Sequence, residues 1–428
     1  MNGERVGRWS ATPAGDELTY DAAWLASSQS RPLSLSLPMR AGNLPIRGPA
    51  VRAWFDNLLP DSQPILDRMA RRFGAASTDA FDLLAQIGRD CVGAVQLLPE
   101  DEAPGTIETI QARPLDEAAV ARRLRNATFA SPLRDDADDL RISIAGAQEK
   151  TALLWHRGAW WRPLGATPTT HILKLPMGLV GNARLDLRHS IENEWLCAQI
   201  LAAYRLDVAR CHPLLFEDQR VLAVERFDRR WAGNGRWLLR LPQEDMCQAT
   251  GTPAFAKYEA DGGPGIDRIL GLLDGSIRRE QDREAFFRAQ LLFWMLRAPD
   301  GHAKNFSIAL HAGGRYALTP LYDVLSFFPM LGAGPNQVSE HKIRLAMAVR
   351  SKNPHWRMKD IVRRHWIEVG RRHGILGAQG LGPEAVVQDV VERTPGVVDA
   401  VANALPKGFP AVVADRILGG LKRVAAEL

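Results

Sequence analysis

The stretch LRAPDGHAKNFSI, residues 296–308, places Asp300, His302, Lys304 and Asn305 within six positions. Apolar runs bracket it: FFRAQLLFWML (286–296) before and FSIAL (306–310) after. The first has the length and composition of a buried helix, the second of a short strand. An acid, an imidazole, an ammonium and an amide therefore share one loop between two hydrophobic elements. Asp300-Gly301 alone is also an ordinary turn dipeptide, so the loop has to be judged with its surroundings.

Asp300 and Asn305 stand in D-x-x-x-x-N spacing, that of a kinase catalytic loop. An Asp there orients an attacking hydroxyl and accepts its proton, and the Asn five residues on reaches a magnesium ion held by nucleotide phosphates. Such chemistry needs a second acid downstream. Asp323 in LTPLYDVLS (318–326) supplies it after SIALHAGGRYALT (307–319), which has the pattern of a hairpin. It also needs a phosphate cradle and a cation upstream. Gly146 in SIAGAQEK (143–150) lies between apolar strand-like segments, where a small residue lets backbone N–H groups approach a phosphate. Lys174 in HILKLP (171–176) has apolar neighbours, a setting that demands a partner for its charge. A phosphate together with Glu192 or Glu194 would provide one. One glycine stands where protein kinases have three, and no DFG follows the metal acid.

These segments resemble the HipA family of bacterial toxin kinases. The resemblance rests on SIAGAQEKTAL, THILKLP, ENEWLCAQIL, LAVERFDRRW, LPQEDMCQATGTP, KYEADGGPG, DGHAKNFSI and LTPLYDVLS, in order from about residue 141 to 326. It implies an α+β, two-lobed, protein-kinase-like fold related to the PI3/4-kinases. The expected parts are a sheet-rich N-lobe, an extra N-terminal subdomain and an all-helical C-lobe, with boundaries at 1–106, 107–242 and 243–428. It further implies that Asp300 is the base and that Asn305 and Asp323 are magnesium ligands. Lys174 would contact the ATP phosphates. Ala145, Gly146, Ala147, Gln148, Glu149 and Lys150 would form the phosphate loop, and Glu225, Arg226 and Phe227 the adenine hinge. His302, Ala303, Lys304, Asn305 and Tyr322 would line the nucleotide. Ser143 would be an autophosphorylation site that switches the enzyme off. Implied partners are a HipB-like helix-turn-helix antitoxin, operator DNA through that complex, and an aminoacyl-tRNA synthetase phosphorylated on serine. A small-molecule phosphotransferase of the same fold, or an inert DNA-bound co-repressor, are the competing expectations.

The remainder of the chain bounds these readings. At 428 residues it exceeds one compact core. The formal charge is +5, yet residues 341–373 hold ten lysines and arginines against two acids, which suits either phosphate backbones or a solvated helical face. Four dispersed cysteines make a zinc site or disulfide framework unexpected. No secretory signal or run of about 18 apolar residues is evident, so a cytoplasmic location is expected, nucleoid-associated when in complex with antitoxin and DNA. Local patterns predict strands in GDELTYDAAWL (15–25), LSLSLP (33–38) and VGAVQLL (92–98), helices in 48–60, 66–74 and 79–88, and a linker at 99–106. PGVVDAVANAL (395–405) and 410–428 read as the last helices.

Overall fold

The computed structural model describes residues 1–128, 148–181 and 184–428. Contacts divide the chain into two units: Met1–Leu175, Leu214–Ala256 and Ser307–Tyr316 in the first, Pro176–Pro213, Lys257–Phe306 and Ala317–Leu428 in the second. The division does not follow chain order. Ser307, Ile308 and Ala309 return to the first unit by pairing antiparallel with Asp245, Glu244 and Gln243.

Most of a six-stranded sheet lies in the first unit. Its order is Cys211–Phe216, Gln219–Glu225, His171–Lys174, Lys150–His156, Ala159–Pro163, Ala112–Leu115. The helix Glu117–Thr128 covers one face, burying Val120, Ala121 and Leu124 against Leu153, Leu173, Val221 and Ala223. Sequence patterning missed this helix and the strand before it. Asp116, whose carboxylate accepts the Ala119 N–H at 2.7 Å, is the capping signal that could have found the helix. Residues 18–91 form a separate core around Trp54, Phe55, Leu83, Leu84 and Ile87. There Trp9 stacks on Phe55 with centroids 3.8 Å apart.

Two predicted strands do not form, and the reason is the same in both. Residues 92–98 are irregular because the Gly93 N–H, at φ 76°, goes to the Asp228 carboxylate at 2.7 Å. In 33–38 only an isolated Ser34–Leu37 bridge exists. The Tyr20 hydroxyl takes the Leu33 N–H at 2.7 Å and donates to the Leu37 carbonyl at 2.5 Å. Side chains have captured the backbone groups that a ladder would use.

Glu244 is fully buried and accepts the Leu35 N–H at 2.9 Å and the Trp54 Nε1–H at 3.3 Å. Burial pushes its carboxyl from the ordinary 4.5 up to about 8. At neutral pH the folded chain therefore holds a proton that the unfolded chain releases. The stability this group contributes is complete below its unfolded value and is lost as pH rises towards the folded one. Glu244→Gln, which never ionises, is expected to flatten the decline in melting temperature between about pH 5 and pH 8. Equal declines in both proteins would assign the titration elsewhere.

The second unit is mainly helical: Ser190–Ala203, Ile266–Leu273, Arg279–Met295, Arg363–Arg372, Pro383–Asn403 and Ala411–Ala426. The helical character expected of residues 243–428 holds for the last five. The same stretch also carries short strands, among them the hairpin Arg344–Arg350 with Pro354–Arg357. Arg279–Met295 is enclosed on every side from Phe286 onward except at the half-buried Arg288, the mark of a central helix. The penultimate helix starts at Pro383, twelve positions before the expected Pro395, which lies inside it. A proline there costs the Val391 carbonyl its partner. Burial of Val386, Val387, Val390, Val397, Val398 and Val401 sustains the helix across it. Thr394 adds a bond to the Val390 carbonyl at 2.9 Å. Among the described residues no helix is long and apolar enough to cross a membrane, and the four cysteines are free and buried.

Candidate functional site

The loop after helix Arg279–Met295 is shaped by its own backbone. Arg297 adopts a left-handed conformation, φ 52°. Its buried guanidinium donates to the Trp294 carbonyl at 2.9 Å and to Glu340 Oε1 at 3.0 Å. The Asp300 carbonyl then accepts the His302 N–H at 2.8 Å and Asn305 Nδ2–H at 2.7 Å. A single 3₁₀ turn, Ala303–Asn305, closes the loop. Gly301 is required by a close approach, since a Cβ there would lie 2.4 Å from the Phe293 ring.

This geometry separates two roles. The Asp300 side chain remains 54% exposed, whereas His302, Lys304 and Asn305 are buried. Because the Asn305 amide nitrogen is engaged by Asp300, its oxygen is the atom left to face a cation. Tyr322 donates from its hydroxyl to the Lys304 carbonyl at 2.9 Å. The next residue, Asp323, is at φ 61°, a left-handed conformation that is uncommon outside glycine and that aspartate and asparagine adopt more readily than other residues. Asp323 is not at a strand end: the preceding strand stops at Leu318, and only a Val208–Leu321 bridge intervenes. Asn193 fixes the backbone three residues further on, donating to the Ser326 carbonyl at 2.7 Å and accepting the Ser326 N–H at 2.9 Å. The Ser326 hydroxyl in turn bonds the Leu296 carbonyl at 2.6 Å. The loop, the Asp323 segment and helix Ser190–Ala203, which buries Glu192 and Glu194, are thus tied together.

Among the described residues no group of three or more His, Cys, Asp or Glu could hold a metal ion. An amide oxygen and one carboxylate suit a hard cation that draws its other ligands from water and phosphate.

In the first unit, Lys174 closes a central strand and is buried. Lys150 lies directly opposite it in register. Two cations paired across a ladder repel unless an anion is near. Gln148 Nε2 donates to the Leu175 carbonyl at 2.6 Å, and Glu149 pairs with Arg68. Ala145, Gly146, Ala147 and Ser143 lie outside the described residues. Glu225 pairs with His171 in the sheet. Arg226 donates its N–H to the Thr170 carbonyl at 2.8 Å, and its carbonyl accepts the Arg229 N–H at 3.2 Å. Its buried side chain meets Asp90 at 3.2 Å and Asp228 at 2.8 Å.

Tyr258, Asn193 and Asp90 are the site-forming residues that sequence reasoning missed. Tyr258 lies in the quoted stretch KYEADGGPG, and Asn193 stands between the two glutamates.

Comparison with known proteins places the chain. Residues 1–98 match the HipA N-terminal domain and residues 142–401 the HipA-like C-terminal domain. The chain belongs to the HipA family. A Sinorhizobium fredii protein named "Putative kinase Y4mE" is 37% identical over 330 residues, 76% of each chain. The "Serine/threonine-protein kinase toxin HipA" of Shewanella oneidensis is 27% identical over 282 residues, covering 63% of this chain and 61% of that one. The structure of the Shewanella oneidensis HipA, HipB and operator DNA complex contains a chain that superimposes with TM-score 0.77 at 22% identity. The match spans 98% of this chain and 94% of that one. The HipA fold, and hence a kinase-like fold, is common to both.

The basic run of this HipA-family chain is not one helical face. It folds as the hairpin Arg344–Arg350 with Pro354–Arg357, followed by the helix Arg363–Arg372. Arg350 pairs with Glu259, Arg371 with Glu384 and Arg372 with Asp267. Lys342, Arg344, Lys352, Arg357, Lys359 and Arg364 are exposed.

Proposed function

We propose that this HipA-family protein is an ATP-dependent serine/threonine protein kinase and the toxin of a toxin–antitoxin pair. The observation that carries the reading is the Asp300–Asn305 loop. One backbone carbonyl accepts the Asn305 amide at 2.7 Å, so the amide oxygen and the half-exposed carboxylate are held as two separate acceptors. Asp300 takes the proton of the attacking serine hydroxyl. Asn305 and Asp323 hold the magnesium ion whose charge offsets that of the ATP phosphates. Lys174 contacts the ATP phosphates, and residues 145–150, Lys150 among them, serve as the phosphate loop. His302, Ala303, Lys304 and Tyr322 line the nucleotide. Glu225, Arg226 and Phe227 form the adenine hinge, in which Arg226 holds the shape of the turn. Residues 1–106 act as an accessory subdomain, 107–242 bind nucleotide and 243–428 carry the transfer chemistry.

The substrate is a serine of an aminoacyl-tRNA synthetase, and its modification arrests translation. Autophosphorylation at Ser143 switches the kinase off. A HipB-like antitoxin and operator DNA are the partners in repression. The Shewanella oneidensis neighbour, solved with both, supports that assignment, as do the exposed cations of 342–364.

The test is labelled ATP offered with purified synthetases and, separately, with sugars and small alcohols. Label on a synthetase serine is expected. Label on small molecules alone would replace the protein-kinase reading with a small-molecule phosphotransferase, and none on either would leave the inert co-repressor. Asp323→Ala is expected to remove the magnesium dependence of nucleotide binding, since Asp323 is the charged ligand of the pair. Calorimetry with and without magnesium measures this, and an unchanged dependence would move the metal elsewhere.

A further inference from the structure

We infer that Tyr258 is a positioning residue for Asp300, locking one carboxylate oxygen so that the other meets the acceptor hydroxyl. The inference rests on the kinase reading of the Asp300 loop and adds a residue to that site. The Tyr258 hydroxyl donates to Asp300 Oδ1 at 2.5 Å. His302 Nε2 lies 3.9 Å from the same oxygen, and the His302 ring meets the Tyr258 ring edge-on, centroids 5.1 Å apart at 89°. The Tyr258 hydroxyl is the group within hydrogen-bond distance of Oδ1, which leaves Oδ2 as the atom to receive a proton.

Tyr258 is able to orient because its own loop is fixed at three places. The Lys257 carbonyl accepts the Ala303 N–H at 3.2 Å, a direct tie to the Asp300 loop. The Tyr258 carbonyl accepts the Gly263 N–H at 2.9 Å and the Asp261 N–H at 3.0 Å. The Glu259 carboxylate takes the Ala348 N–H and the Arg350 Nε–H, the latter at 3.0 Å, which anchors the loop to the strand Arg344–Arg350. A half-exposed aspartate would otherwise turn about two bonds. A donor on a fixed loop restricts it to one orientation, the condition for a base to act at the moment of transfer.

The same 2.5 Å contact admits a rival: the tyrosine hydroxyl could occupy the acceptor's place and plug the site. The two ideas predict opposite signs. The experiment measures initial rates of protein labelling from γ-labelled ATP in a fixed bacterial extract, for wild type, Tyr258→Phe, Asp300→Asn and the double variant. Magnesium–ADP affinity and melting temperature are measured alongside. Loss of one hydrogen bond to a charged group is expected to lower the maximal rate of Tyr258→Phe about ten- to hundredfold, with KM for ATP and affinity for ADP within about twofold. In the Asp300→Asn background the tyrosine change should then have no further effect. A Tyr258→Phe rate equal to or above wild type overturns the inference, as does an equal loss in the Asp300→Asn background. A wild-type protein that labels nothing overturns the kinase reading and this inference with it.

Discussion

Asp300→Asn protein is expected to transfer phosphoryl groups about 10²–10⁴-fold more slowly than wild type, the range that a positioned base contributes. It should bind ATP nearly as well. The change is close to isosteric and leaves the backbone in place. The Asp300 carbonyl would still accept the His302 N–H and the Asn305 amide, at 2.8 and 2.7 Å in the native loop. The Asn305 oxygen should therefore still be presented to a cation, and only proton acceptance is lost. Single-turnover transfer and nucleotide titration measured together separate the two. A variant within tenfold of wild type would show that Asp300 does not act as the base. In cells, growth arrest by this variant would remove the kinase-toxin reading altogether.

Asp90→Ala protein is expected to lose about 3–5 kcal/mol of stability, as when one partner of a buried ion pair is removed. A lowering of the melting temperature by about 3–6 °C would accompany that loss in a chain of 428 residues. Asp90 accepts from Arg226 at 3.2 Å, Arg229 at 2.8 Å and Arg240 at 3.2 Å, all at side chains buried almost completely. It also accepts from the Thr169 hydroxyl at 2.7 Å and the Thr169 N–H at 3.1 Å. Burial opposes its charge, but the three guanidiniums, Arg229 foremost, outweigh that and hold the carboxyl far below the usual carboxylate range. The stability it contributes is thus present at neutral pH and lost only as pH falls through that depressed value. Without it, Arg226 and Arg229 would keep Asp228, and Arg240 would lose the carboxylate it meets at 3.2 Å. Since Arg226 directly follows the strand Gln219–Glu225, nucleotide affinity should fall along with stability. Calorimetric melting together with ATP titration decides this. A variant that melts with wild type would mean that the arginines find water or other acceptors.

What the chain order alone made legible is what depends on neighbours in sequence. Asp300 and Asn305 are five residues apart and joined by one turn, so their spacing already contained the geometry of the loop. Lys174 declared itself as a charge among apolar strand residues. The long apolar run at 286–296 is a helix because burial of a nearly continuous apolar surface leaves the backbone only internal partners. Tertiary structure decided the rest. Tyr258 reaches Asp300 across 42 positions, and Asp90 reaches Arg226 across 136. No periodicity records such contacts. The same limit explains residues 33–38 and 92–98, whose strand-like alternation was overridden when Tyr20 and Asp228 took their backbone N–H groups. It also explains Pro395, which reads as a helix start but sits mid-helix because valines on either side of it are buried. A backbone group bonds whichever partner the folded chain brings to it first in energy, and sequence pattern speaks only for the partners that are local.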